Sequence, residues 1–162
     1  MFNKILVAVE DSEMGKYVFA EALALAKATD ARLMLLSVLC SEDVPYLNYL
    51  PGTLYQPFND EVINLYIQRE EELKKEGINF LQSLSQKAIA ENVTVEFTQA
   101  QGEPSRTICQ LAKSWEADLI VMGRRGLSGI SEFLIGSVSN YVLHHAKCSV
   151  LALQGKMFTS SD

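Results

Sequence analysis

Apolar and polar positions follow one another along the chain in blocks that predict five strands separated by helices. Four of the strand-like runs are apolar almost throughout, which is typical of strands covered on both faces, whereas the third run alternates, which favours an edge position. We predict strands over residues 4–9, 31–39, 92–100, 117–123 and 148–154. Right-handed crossovers between such strands give an α/β fold, a parallel sheet with helices on both faces.

Helices are predicted between the strands from apolar spacing and from end signals. Ser12 is the predicted N-cap of the first helix, and Pro104 lies near the start of the third, where a missing N–H costs little. The second helix is predicted over residues 60–91 and the fourth over 136–146. Segment 40–60 holds three of the four prolines, so we expect a long loop that acts as a lid, a binding loop or a contact surface.

Length and charge limit the classes of function. A chain of 162 residues suits one domain, which we place at residues 1–155 with a polar tail at 156–162. The net charge of −6 argues against nucleic-acid binding, which needs a broad basic surface. The sequence has neither a run apolar enough for a membrane helix nor a signal-peptide pattern. We therefore expect a cytoplasmic protein that binds neither nucleic acid nor membrane.

Few residues indicate a catalytic or metal centre. The cysteines (Cys40, Cys109 and Cys148) are scattered, and we expect them to be small buried hydrophobic side chains in a reducing compartment. His144 and His145 are adjacent, so they point to different sides of a helix, and a helix C-terminus is the favoured setting for them. No nucleophile with a partner base and no acidic cage for a metal is recognisable in the sequence.

The stretch after the fourth strand, residues 123–142, combines glycines with two arginines and a helix start. Gly123 and Gly126 permit close approach of the backbone, and Gly136 opens a helix whose free N–H groups attract anions. Ligands of parallel sheets bind at the carboxyl ends of the strands, where this stretch is expected to lie. The common phosphate-binding patterns G-x-x-x-x-G-K-[ST] and G-x-G-x-x-G are missing. On these grounds alone, a phosphate site and a glycine-punctuated loop are equally well supported.

The spacing of these glycines resembles the nucleotide-binding signature of the universal stress protein family. Gly123-Arg-Arg-Gly126, then nine residues, then Gly136-Ser137 match the pattern G-x2-G-x9-G-S. The opening ILVAV, the segment GEPSRTI and the stretches ADLIVMGRRG and GSVSNYVLHHAKCSVLAL resemble the same family. The similarity therefore covers nearly the whole chain.

The resemblance implies a doubly wound five-stranded sheet of order 3-2-1-4-5, a homodimer, and ATP as the ligand, accompanied in such members by Mg²⁺ or Mn²⁺. The implied dimer seam is the fifth strand, which begins at Cys148 and ends at Gln154. The implied adenine contacts are Ala8, Val9, Glu10 and Val38. The implied ribose and phosphate contacts are Met122, Gly123, Arg124, Arg125 and Gly126, followed by Gly136, Ser137, Val138 and Ser139 at the helix start.

Three positions depart from the family's pattern. Glu10 stands where relatives have aspartate, Arg124 stands where they often have a small polar residue, and Ser149 stands where they often have proline. Glu10 keeps the charge of aspartate but adds one methylene, so its contact with the nucleoside is expected to shift. Arg124 either strengthens phosphate binding or projects into solvent.

The function expected from the resemblance is a nucleotide-dependent regulatory dimer. At most slow ATP hydrolysis is expected, because no general base or water-orienting residue is recognisable. Two alternatives stay open at this point. One is a protein-interaction module of the same fold that uses no nucleotide, and the other is a sensor of AMP or cyclic AMP.

Overall fold

The computed structural model describes residues 1–40, 60–124 and 136–154, and strands and helices alternate through them. The strands are β1 (Lys4–Ala8), β2 (Arg32–Leu39), β3 (Val95–Gln101), β4 (Leu119–Arg124) and β5 (Ser149–Gln154). The helices are α1 (Glu13–Thr29), α2 (Asp60–Ala90), α3 (Pro104–Ser114) and α4 (Ser137–His145). The predicted alternation is confirmed. The interior of the predicted loop and the tail at 156–162 lie outside the described residues.

The five strands form one parallel sheet in the order β3-β2-β1-β4-β5. This is the order that the family resemblance implies, and it places β3 at an edge, as its alternating pattern predicts. β1 lies at the centre, where Ile5 pairs with Leu33 on one side and with Leu119 on the other. Because the chain winds from β1 toward β3 and then returns to β4, the switch point lies between β1 and β4.

Two hydrophobic clusters cover the two faces of the sheet. α1 and α2 pack on one face, where Val18, Phe19 and Leu84 are buried. α3 and α4 pack on the other face, where Ile108 and Val142 are buried. The central strands are covered on both sides, and burial of apolar surface at about 25 cal/mol per Å² is the reason that they are apolar throughout.

β3 begins at Val95, three residues later than predicted, because the chain turns after α2. Asn92 adopts a left-handed backbone with φ of 60°, and Val93 N donates to Ala88 O at 3.0 Å. A left-handed turn at Glu116 with φ of 56° likewise delays β4 to Leu119, two residues later than predicted. Asparagine tolerates this conformation better than most residues. The other predicted strand ends, and the ends predicted for α2 and α4, differ from the observed ones by one residue at most.

Asp118 ties the start of β4 to the start of the chain. Its Oδ2 accepts hydrogen bonds from Asn3 N at 2.8 Å and from Lys4 N at 2.9 Å. These two N–H groups, that of Asn3 first, hold the pKa of the Asp118 carboxyl below its usual value. The charged carboxylate therefore interacts better with the folded chain than with the unfolded one.

We expect Asp118→Asn to lower the free energy of unfolding at neutral pH, with a difference that shrinks in acid. A carboxyl whose folded pKa is depressed stabilises the fold fully above its unfolded pKa of about 4. That contribution is lost as the pH falls through the lower folded pKa. Urea unfolding at pH 7 and pH 3 measures the difference. A difference of equal size at both pH values would show that charge on Asp118 does not matter.

Candidate functional site

The carboxyl ends of β1, β2 and β4 bring most of the predicted nucleotide contacts to one edge of the sheet. Ala8 pairs with Leu36 of β2 and with Met122 of β4. Val38 lies two residues beyond Leu36, so it stands just above the level of Ala8. The residues gathered at this edge are Ala8, Val9, Glu10, Val38, Met122 and Gly123. Their contact with a nucleotide stays a prediction.

Three small apolar side chains form a wall at this edge, on the face that α3 and α4 cover. Ala8, Val38 and Val138 are partly buried, and all three pack against the second core cluster. Val9 and Met122 are buried. A flat, partly apolar ring would cover this apolar wall without stripping water from a charged group, so the wall suits a purine base.

The described helix starts differ in how their first N–H groups are satisfied. In α1, Ser12 Oγ accepts from Gly15 N at 3.0 Å, which confirms Ser12 as the N-cap. In α3, the Glu103 carboxylate accepts two backbone N–H groups, each at 3.0 Å. In α4, the N-cap is Gly136, which has no side chain, and no side chain of the described residues caps the helix. Among the described residues, no side chain accepts from the first N–H groups of α4, and the helix dipole at this end favours an anion.

The carboxylate at the start of α3 is charged at neutral pH. Burial alone would raise the pKa of Glu103, yet the Ser105 hydroxyl and the N–H groups of Arg106 and Ser105 together hold it below its usual value. A negative charge at this position occupies the α3 terminus and repels a second anion. The start of α3 is therefore an unfavourable position for a bound anion.

Ser139 connects α4 to the end of β4. Its Oγ donates to Gly123 O at 3.3 Å, and only 2% of the residue is exposed. This hydrogen bond links the two halves of the glycine signature, and contact of the Ser139 hydroxyl with phosphate stays a prediction. Ser137, by contrast, is exposed at the helix start.

Gly123 has a packing role that the sequence does not reveal. A Cβ at this position would lie 3.0 Å from Met14 Cε and Cγ and 3.3 Å from Val18 Cγ2. The absence of a side chain therefore lets α1 lie against the end of β4. The spacing of Met14 and Val18, four residues apart on one helix face, is the signal that could have indicated this contact. A bulky residue at Gly123 is expected to disturb α1 as well as any ligand.

Two of the three charged residues that are predicted to contact nucleotide lie in the described part of the structure. Glu10 is exposed just beyond β1, and Arg124 is the half-buried last residue of β4. Arg125 and Gly126 lie outside the described residues. Contact between the two arginines and phosphate stays a prediction.

The histidines lie at the C-terminus of α4, as predicted. The His145 ring stacks on Tyr141 with the ring centroids 3.9 Å apart, and its Nδ1 is 2.8 Å from Tyr141 O. Across residues 1–40, 60–124 and 136–154, no group of histidine, cysteine and acidic side chains is placed to hold a metal ion.

None of the three cysteines forms a disulfide bond, and each is partly rather than fully buried, which corrects the expectation of full burial. Cys109 and Cys148 pack against the second core cluster. Burial raises the pKa of the Cys109 thiol, with a further contribution from the charge of Glu103. Burial also raises the pKa of Cys148. Thiols of this kind stay protonated at neutral pH and are poor nucleophiles.

A cleft of about 880 Å³ lies at the opposite, amino edge of the sheet. Two of its cations are already paired, since Lys27 Nζ lies 2.6 Å from a Glu91 carboxylate oxygen and Lys4 Nζ lies 3.5 Å from one of Glu116. None of the predicted nucleotide contacts lines this cleft.

The family model for the universal stress protein family matches residues 1–154. The chain is 39% identical to universal stress protein Sll1388 of Synechocystis sp., with 94% of this chain and 98% of that protein covered. It is also 39% identical to universal stress protein YxiE of Bacillus subtilis, with 95% of this chain and 100% of that protein covered.

Solved structures share the fold. A universal stress protein family protein from Arabidopsis thaliana with AMP bound has a TM-score of 0.65 at 23% identity, with 99% of this chain and 97% of that chain covered. A universal stress protein in complex with cAMP has a TM-score of 0.64 at 22% identity, with 94% and 97% covered.

Family model, relatives and sheet order agree over nearly the whole chain. The helices in the described ranges include none with the length and apolarity to cross a bilayer. The chain belongs to the universal stress protein family.

Proposed function

We propose that this protein binds an adenine nucleotide at the carboxyl edge of its sheet and that ATP is its principal ligand. The observation that carries the proposal is the start of α4 at Gly136, which no side chain of the described residues caps, next to the apolar wall. The wall takes the base, and the first N–H groups of α4 take phosphate oxygens. Within the described residues, no capping side chain competes with phosphate for these N–H groups.

Ligands of structural neighbours support the adenine part of the proposal. One neighbour has AMP bound and another is in complex with cAMP, and both ligands combine a purine with phosphate. A triphosphate adds charge, which Arg124 and Arg125 would balance in a chain with a net charge of −6. Mg²⁺ or Mn²⁺ would arrive with the triphosphate and be held mainly by its oxygens, as is usual for hard cations.

The output of binding is conformational rather than chemical in this proposal. Phosphoryl transfer needs a residue that orients the attacking water and a cation that stabilises the transition state. No residue for the first role is recognisable in the sequence, so we expect at most slow ATP hydrolysis. The protein acts in the cytoplasm in this proposal, where cysteines that form no disulfide bond stay reduced.

The nucleotide released from denatured purified protein, identified by mass spectrometry, tests the proposal together with calorimetry. We expect ATP to bind with a dissociation constant near the micromolar range, about −8 kcal/mol, and more tightly than AMP or cAMP. If cAMP bound more tightly than ATP, cAMP rather than ATP would be the principal ligand. No released nucleotide and no heat with any of the three would contradict the proposal and favour an interaction module.

We also propose that two chains pair through β5. The support is that β5 is an edge strand without charged residues, and that Leu151 is 38% exposed on it. Edges of this kind are usually covered or paired, because an open edge invites aggregation.

The change Leu151→Lys is expected to convert the dimer into a monomer, because it places two ammonium groups against each other across the seam. Ile89→Lys is the matched control, since Ile89 is an exposed isoleucine on α2, away from β5. Sedimentation velocity at micromolar protein concentration measures the oligomeric state of the wild type and of each variant. A wild-type monomer, or a Leu151→Lys protein that stays dimeric, would contradict the β5 seam.

A further inference from the structure

The end of β4 extends beyond the end of the central strand β1. The pairing of β1 with β4 ends at Ala8 and Met122, whereas the pairing of β5 with β4 continues through Gly123 to Arg124. Within the described residues, Gly123 therefore has a strand partner on the β5 side alone. A strand end that is paired on one side opens more easily than one paired on both, so contacts with the covering helices help to decide where Gly123 lies.

Met14 supports Gly123 from the α1 face of the sheet. Side-chain direction alternates along β4, since Val121 is buried in the first core cluster and Met122 in the second, so position 123 faces α1. The place that a Cβ of Gly123 would take lies 3.0 Å from Met14 Cε and Cγ. Because glycine has no side chain, the Met14 side chain packs against the backbone of β4.

Hydrogen bonds in the β1–α1 turn hold the backbone around Met14. Met14 is the second residue of α1, in the turn that Ser12 caps by accepting from Gly15 N at 3.0 Å. Ser12 N also donates to Glu10 O at 2.9 Å. The Met14 side chain is partly buried and packs against the first core cluster. The hydrogen bonds of the turn therefore fix the point from which this side chain reaches β4.

Ser139 connects Gly123 to the start of α4 on the opposite face of the sheet. The Ser139 hydroxyl donates to Gly123 O at 3.3 Å. Asn140 N donates to Gly136 O at 2.9 Å, so the three residues of α4 before Asn140 have N–H groups that precede the first helical hydrogen bond. Ser139 is one of these three residues. A shift of Gly123 is therefore passed on to the N–H groups that the proposed function assigns to phosphate.

We propose that Met14 is a positioning residue for the nucleotide site and acts through Gly123 and the hydrogen bond of Ser139. The inference rests on the proposed function, since it concerns the same site. Met14 lies on the α1 face, whereas the apolar wall and α4 lie on the other face, so its side chain acts without touching base or phosphate. It blocks movement of β4 toward α1 and so holds the N–H groups of α4 in place. Groups that bind a ligand need to be held to within about 0.5 Å.

Met14→Ala is expected to weaken ATP binding at least about threefold. The change leaves a space beneath Gly123, so the end of β4 adopts positions in which the N–H groups of α4 are displaced. If about one third of the molecules keep the binding geometry, the apparent dissociation constant rises about threefold. Calorimetry measures the affinity. Met14→Leu keeps nearly the same volume, and its ATP affinity is expected to stay within about 1.5-fold of the wild type.

Leu25→Ala is the matched control on the same helix. Leu25 is also partly buried against the first core cluster, but it lies eleven residues, about 16 Å, further toward the amino edge. We expect this change to lower the melting temperature at least as much as Met14→Ala and to leave ATP affinity unchanged. Without nucleotide, the amide NMR signals of Ser137, Val138 and Ser139 are expected to shift in Met14→Ala and to stay in place in Leu25→Ala.

The outcomes separate the role of Met14 from nucleotide binding itself. A wild type that binds no ATP contradicts the proposed function, and the amide signals of nucleotide-free Met14→Ala still test the link from Met14 to α4. Unshifted signals at the start of α4 would overturn that link. If the wild type binds ATP, three results would overturn the role of Met14: wild-type affinity in Met14→Ala, an equal loss in Leu25→Ala, or an equal loss in Met14→Leu.

Discussion

Ser137→Glu is expected to weaken ATP binding by at least about tenfold, which is about 1.4 kcal/mol. The residue is exposed at the first position of α4, where the proposal places phosphate. A carboxylate there satisfies the helix dipole and repels the triphosphate. The same charge is expected to stabilise α4 by about 0.3–1 kcal/mol, so binding falls while the free energy of unfolding does not.

Ser137→Gln is the matched control for this experiment, because it has nearly the size of glutamate without its charge. Its ATP affinity, measured by calorimetry, is expected to stay within about threefold of the wild type. Equal ATP affinity in the glutamate and wild-type proteins would mean that phosphate does not bind at the start of α4. Equal loss in both variants would assign the effect to size rather than charge.

Gly15→Ala is expected to lower the free energy of unfolding by more than about 3 kcal/mol, or the melting temperature by about 10 °C. Gly15 is buried in the first turn of α1, and a Cβ there would overlap the carbonyl oxygen of Glu10. That oxygen belongs to the tight β1–α1 turn, where it accepts from Ser12 N at 2.9 Å. Backbone has no side-chain torsion by which to move aside, so the turn itself must open.

Thermal unfolding of Gly15→Ala beside Lys16→Ala measures this effect. Lys16 is the next residue in α1 and is exposed, with an ion pair to Glu13 of the weak surface kind. Its replacement is expected to shift the melting temperature by no more than about 2 °C. A Gly15→Ala protein as stable as Lys16→Ala would show that the β1–α1 turn is less rigid than its contacts indicate.

The parallel sheet and its two covered faces follow from local sequence patterns. Strands such as Leu119–Arg124 read as apolar runs because both of their faces are buried, and the alternation in β3 reflects its edge position. The order of the strands in the sheet could not be predicted from periodicity, because local patterns do not show which strands lie next to each other. It came from the resemblance to the universal stress protein family.

The candidate site is less fully encoded in local patterns, because its geometry depends on contacts between distant segments. The hydroxyl of Ser139 on α4 donates to Gly123 O, which lies 16 positions earlier in the chain. Met14 on α1 packs against Gly123 from the other face of the sheet. The start of α4, which no described side chain caps, differs from the start of α3, where the Glu103 carboxylate accepts from two backbone N–H groups. The periodicity of apolar residues in a single sequence does not predict these contacts between distant segments.

The most direct test of the central claim is an ATP titration of isotope-labelled protein followed by amide NMR shifts. We predict that the amides of Ser137, Val138 and Ser139 at the start of α4 shift most, together with those of Ala8 and Val9 at the end of β1. Shifts confined to the amino edge around Arg32 and Asn92, or none at all, would contradict nucleotide binding at the carboxyl edge.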